Sequence, residues 1–151
     1  MMRGLEFITP NEYGHILKDI LEGVDLSPYQ WVMTEAFILW NGRTSDPIPD
    51  DDCVFQPDKF VKFINMEGYY PVFIILKAFP LDANIVELND FNEYEKSDCQ
   101  LVIIIADAVY VDLYCKNRDN ILAINENAHK IGCENIEIIT AENDGRTAFH
   151  V

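Results

Sequence analysis

Along this chain the most decisive hydrophobic pattern is the unbroken apolar run Leu101–Ala106, which is rich in β-branched residues and too short for a buried helix. It reads as a strand covered on both faces. Asp107 and Ala108 make a tight connection. Val109, Val111, Leu113 and Cys115 then alternate with Tyr110, Asp112, Tyr114 and Lys116, the period-two pattern of a strand with one wetter face. The two runs predict a hairpin. A second nearly continuous apolar segment, residues 70–79, has Lys77 as its only charge and predicts another central strand beside that hairpin, stopped by Pro80.

Helical periodicity appears in four places. Asn11 is a candidate cap for a helix whose face is Tyr13, Ile16, Leu17, Ile20, Leu21 and Val24, with Gly23 near its end. Pro57 at a first turn precedes Phe60, Val61, Phe63 and Ile64, and Gly68 closes that unit. Asn89 or Asp90 can cap a short helix through Phe91, Tyr94 and Glu95. Asn117 or Asp119 can cap the longest one, with Ile121, Leu122, Ile124, Asn125, Ala128 and Ile131 on one side and Gly132 as a left-handed terminator.

The remaining segments read as strands and turns. Residues 3–8 predict an edge or second strand, residues 29–34 and 36–40 two short strands before an Asn41-Gly42 turn, and residues 135–140 a further strand. Glu142-Asn143-Asp144-Gly145 is a turn, with residues 146–151 a final short strand, while residues 43–52 form a surface loop. The expected architecture is one α+β domain spanning residues 1–151, a mixed, mostly antiparallel sheet with helices packed on at least one face.

Composition supports a packed core, since 49% of the 151 residues are apolar. No apolar run approaches the roughly 20 residues of a membrane-spanning helix, and the start has no signal-peptide pattern, so the expected setting is cytoplasmic. Cys53, Cys99, Cys115 and Cys133 lie far apart with no CxxC pair and read as buried free thiols. Eleven Lys and Arg against 26 Asp and Glu give a net charge of −15. Such a field repels nucleic acid and anionic lipid and favours cations or a basic protein surface.

Motifs for chemistry are absent. His15, His129 and His150 make no HxH or HxxxH pair, the Asp50-Asp51-Asp52 run lacks the calcium-loop rhythm, and no Gly-rich phosphate loop occurs. No catalytic residue, metal or cofactor is assigned.

The stretches RGLEFITPNEYG with ILKDIL, QLVIIIADAVYVDLYCK and ITAENDGRTAFHV resemble an uncharacterised domain-of-unknown-function family of small bacterial proteins, found mainly in Bacillus-type organisms. The resemblance runs the whole length. It implies a fold and a bacterial cytoplasmic setting, and it carries over no activity and no functional residue.

Charge therefore leads the functional expectation. The chain is expected to be a non-enzymatic acidic protein-binding module, an inhibitor of immunity type that covers a basic protein such as a nuclease toxin. Its contact acids would be Asp50, Asp51, Asp52, Asp90, Glu93 and Glu95, with Trp40 or Tyr94 as anchors. The alternative is a small-molecule binder or an enzyme whose pocket forms only in the fold, with Asp107, His129 or Arg146 as polar lining. Self-association through a sheet edge is a third reading, and the sequence leaves the oligomeric state open.

Overall fold

The computed structural model describes residues 1–41 and 52–151. In chain order the elements are β1 (Gly4–Ile8), α1 (Ile16–Ile20), β2 (Tyr29–Trp40), β3 (Cys53–Phe55), α2 (Pro57–Ile64), β4 (Tyr69–Pro80), α3 (Phe91–Lys96), β5 (Leu101–Ala106), β6 (Tyr110–Cys115), α4 (Arg118–Ile131) and β7 (Glu134–Ile139). The strands form a seven-stranded sheet in the order β3-β2-β4-β5-β6-β1-β7. Every ladder in it is antiparallel, so the fold is α+β as the pattern predicts.

The β5–β6 hairpin sits at the centre. Its three-residue turn, 107–109, places Asp107 (φ 49) and Ala108 (φ 68) consecutively in the left-handed region and takes in Val109, which the alternation places in the strand. Because side chains alternate, the strands feed two separate cores. Leu101, Ile103 and Ile105 of β5 join Leu5, Phe7, Trp31, Met33, Ile74, Leu76, Val111 and Leu113 on one face, where α1, α2 and α4 cover them. On this helical face Phe60 of α2 stacks on Trp31 with ring centroids 4.1 Å apart, and α4 buries Ile121, Ile124 and Ala128.

Val102 and Ile104 point the other way and join Ile75, Phe79, Leu88, Tyr94, Tyr114, Ile139 and Phe149. This strap face is covered by α3 and by the irregular segment after β7, which crosses the strands instead of pairing with them. Close approach matters at its margin. A Cβ on Gly4 would lie 1.7 Å from the Leu113 carbonyl oxygen, so no other residue fits where β1 meets β6 there.

Helix ends follow the caps that the sequence offers. Asn117 Oδ1 accepts from the Asn120 amide at 3.0 Å to start α4, and Gly132 (φ 90) ends it. Asp90 Oδ1 accepts from the Glu93 amide at 2.9 Å to start α3.

Four expectations need correction. The first helix is only Ile16–Ile20, because the Gly14 backbone is drawn into a bridge with Tyr69 and residues 11–13 cannot begin a turn. Residues 29–40 are one strand, β2, whose ladder with β4 shifts register between Thr34 and Phe37, and Glu35 there has φ 49. Residues 146–151 are not a strand, since they lie across the sheet and are held by side chains. Tyr114, placed on the wetter face of its strand, is fully buried because the strap and α3 close over it. Gly42 of the Asn41-Gly42 turn and residues 43–51 of the 43–52 loop lie outside the described residues.

Among the described residues no helix is long and apolar enough to cross a membrane. All four cysteines are free thiols. Burial pushes Cys99 up to about 12, and Cys115 and Cys133 up to about 11, far from a reactive thiolate.

Candidate functional site: an acidic cavity beneath the strap

Three carboxylates line up across three adjacent strands. Glu6 on β1 is the register partner of Asp112 on β6 and of Glu137 on β7. Period-two alternation puts all three on the strap face, so a row that spans more than a hundred residues of sequence becomes one row of side chains. The strap adds Asp144 and Arg146, and together with Thr147, Ala148 and His150 it walls a cavity of about 460 Å³ over Glu6 and Asp112.

The cations near this cavity are already engaged. Arg146 Nε donates to Asp112 Oδ2 at 2.7 Å, while its Nη1 donates to the His150 and Ala148 carbonyls at 2.9 and 3.2 Å. Arg3 Nη1 donates to Asp144 Oδ2 at 3.0 Å, and the Tyr114 hydroxyl donates to the other oxygen of that carboxylate at 2.9 Å. His150 Nδ1 lies 3.0 Å from Glu35 Oε2 on β2, which tethers the far end of the strap.

Glu6 is left facing carboxylates. Burial first, then the Asp112 charge and a hydrogen bond with the Glu137 carboxyl, then the charges of Glu137 and Asp144, lift Glu6 above the ordinary carboxylate range. Cross-strand like charges weaken a sheet by up to about 1 kcal/mol per pair. Glu6 therefore sits where a positive charge would relieve an existing repulsion. Among the described residues no cluster has the ligand set of a metal site.

The sequence-predicted contact residues do not form one patch. Asp50 and Asp51 lie outside the described residues. Asp52 is exposed at the start of β3, at the opposite end of the sheet from β1 and β7. Asp90 and Glu93 are spent on local structure, Asp90 capping α3 and Glu93 Oε2 accepting from the Asn89 amide at 3.2 Å. Glu95 is exposed on α3 beside a second cavity. The two aromatic anchors differ in burial. Tyr94 is 2% exposed, its hydroxyl donating to the Gln100 carbonyl, and Trp40 packs half-buried on the helical face, 5.8 Å from the Tyr69 ring.

Of the alternative lining residues, Arg146 lines the acidic cavity. Asp107 is in the hairpin turn, and His129 is exposed on α4 with Nδ1 2.8 Å from the Asn125 carbonyl. Glu6, Asp112 and Glu137 were not singled out in the sequence. Their alternation positions were visible, but strand order was not, and only strand order joins them.

Residues 2–150 match a family described as a protein of unknown function, DUF2691. The chain belongs to that family. It is 37% identical over 153 residues to the uncharacterized protein YncE of Bacillus subtilis (strain 168), and the match covers 100% of both chains. No solved structure matches this chain.

Proposed function

We propose that this family member is a non-enzymatic cytoplasmic module that binds a basic protein, and that the cavity over Glu6 and Asp112 receives one of the partner's Lys or Arg side chains. An inhibitor of immunity type, covering a basic enzyme such as a nuclease, is the most concrete form of this reading. The observation that carries it is the register of Glu6 between Asp112 and Glu137, which sets three carboxylates in one row across β6, β1 and β7. An inserted guanidinium or ammonium would replace that repulsion with charge-assisted hydrogen bonds. The wider surface supports the same partner. Asp82, Glu87, Asp90, Glu93, Glu95 and Asp98, opposed by Lys96 alone, adjoin the same face, and such a field speeds association with a basic surface.

The test is capture from a host-cell lysate at low and then high salt, with the wild-type protein and the Glu6→Gln, Glu137→Gln double variant side by side. A basic protein held by the wild type, released by salt and lost by at least about tenfold in affinity in the variant supports the reading. A partner held equally by both proteins removes the cavity from it, and recovery of no basic protein removes the reading itself.

A further inference from the structure

A second cavity, of about 560 Å³, opens beside the root of the strap. The Arg3–Asp144 ion pair divides the two, Arg3 lining this cavity and Asp144 the acidic one. Its floor combines apolar Met1, Met2, Phe91, Tyr94 and Cys115 with polar groups, and Tyr94 and Cys115 are almost wholly buried. Two of the chain's eleven cationic side chains are fixed on that floor. The Arg3 guanidinium lies 3.9 Å from the Phe91 ring centroid, and Lys116 Nζ lies 5.0 Å from the Tyr94 centroid and donates to the Ser97 carbonyl.

Both cations rise from rigid backbone. The Arg3 amide donates to the Ile139 carbonyl at 2.7 Å and its carbonyl accepts from the Cys115 amide at 3.0 Å, while the Lys116 amide donates to the Gln100 carbonyl at 3.0 Å. Among the described residues the Arg3 guanidinium donates only through Nη1, to Asp144, so its remaining N–H groups are available to a ligand. Rings beneath a cation hold it in place at modest cost and leave its outer side to an anion. Glu95 and Glu142, both exposed, stand at the rim and oppose a second negative charge.

We propose that this cavity binds a small organic monocarboxylate with an apolar body, the body lying against Met2 and Phe91 and the carboxylate meeting Arg3 and Lys116. Size agrees, since pockets of roughly 300–1,000 Å³ with an apolar lining and a few placed polar groups are those that hold small ligands. The site is separate from the acidic cavity, with which it shares the Arg3–Asp144 ion pair, and it does not require the basic partner.

Phenylacetate is the probe, with phenylacetamide as its uncharged match, titrated into the full chain and followed by amide chemical shifts. Phenylacetate is expected to shift Phe91, Cys115 and Lys116 and to bind about tenfold or more tightly than the amide. Lys116→Gln should remove most of that preference while leaving phenylacetamide affinity in place. Glu6→Gln should leave phenylacetate affinity unchanged, which separates failure here from failure of the protein-binding reading. Equal binding of acid and amide, an absence of shifts at these amides, or a preference that survives both Lys116→Gln and Arg3→Gln would overturn the proposal.

Discussion

On the helical face, charge and burial are kept apart. Helix α4 carries Asp119 and Glu126 against Arg118 and Lys130, α2 carries Asp58 against Lys59 and Lys62, and beneath them the core is apolar. On the strap face the two are mixed. Lys77 is buried there, 8% exposed, with Nζ donating to the Leu88 carbonyl at 3.1 Å, and the Glu6 row and both cavities lie on the same side. The helical face uses whole amphipathic helices whose charges reach water, and of the polar groups it buries, Asn127 and the Tyr69 hydroxyl are bonded to backbone. The strap face has a six-residue helix and an irregular segment, and its polar groups must be satisfied one by one. Such local, side-chain-held structure is where binding groups can be placed without disturbing the main core.

The contrast can be broken first by truncation. Phe60→Ala, beneath the stacked Trp31, should lose about 3–5 kcal/mol of stability, and Phe149→Ala in the strap core a smaller amount, roughly 2 kcal/mol, because the strap can settle into the space. Chemical denaturation measures both. Equal losses would mean that the strap is as integral to the fold as the helices.

Lys77 sharpens the comparison in the opposite direction. Burial holds its ammonium below the ordinary lysine range, so the unfolded chain binds that proton more tightly than the folded one. Its contribution therefore makes stability climb as pH rises from the depressed folded value towards 10.5, where the unfolded chain also loses the proton. Lys77→Met should remove this climb and raise stability near neutral pH by about 1 kcal/mol. Denaturation midpoints across pH 7–10 decide it, and a variant less stable than wild type would show that the Leu88 bond outweighs desolvation.

The smallest effect belongs to Glu6. Its raised folded value means that the folded chain binds the proton more tightly, so its contribution to stability falls as pH rises from 4.5 through that value. Glu6→Gln should remove the fall and gain a few tenths of a kcal/mol at neutral pH. A loss of stability at pH 7 would contradict the repulsion on which the protein-binding reading depends.

The same contrast separates what was legible in the sequence from what was not. Helices α2, α3 and α4 and the β5–β6 hairpin announce themselves through local signals, such as Pro57, Asp90, Asn117, Gly132 and the Asp107-Ala108 turn. The strap does not. Its hold depends on Phe149 meeting Tyr94 and Tyr114, and on Arg146 meeting Asp112, contacts that no local pattern encodes. The burial of Tyr114 was hidden for the same reason, since the strap and α3 cover it, and the union of Glu6 with Asp112 and Glu137 was hidden because it follows from strand order. Trp40 and Tyr94 were offered as surface anchors because aromatic character is visible in sequence and the side on which it lies is not.

The position of β1 bears on how the chain is made. Leu5 pairs with Leu113 on one side and Ile138 on the other, so β1 is made before both of its partners and has no sheet to enter until β6 and β7 follow. At translation rates of about 5–20 residues per second, that interval lasts roughly ten seconds. Leu5 and Phe7 spend it uncovered, while the β4–β5–β6 meander, whose partners are close in sequence, can assemble ahead of them. Completion of the sheet is thus a late insertion between two waiting edges, and a nascent chain stalled before β7 would display an adhesive N-terminal strand to its surroundings.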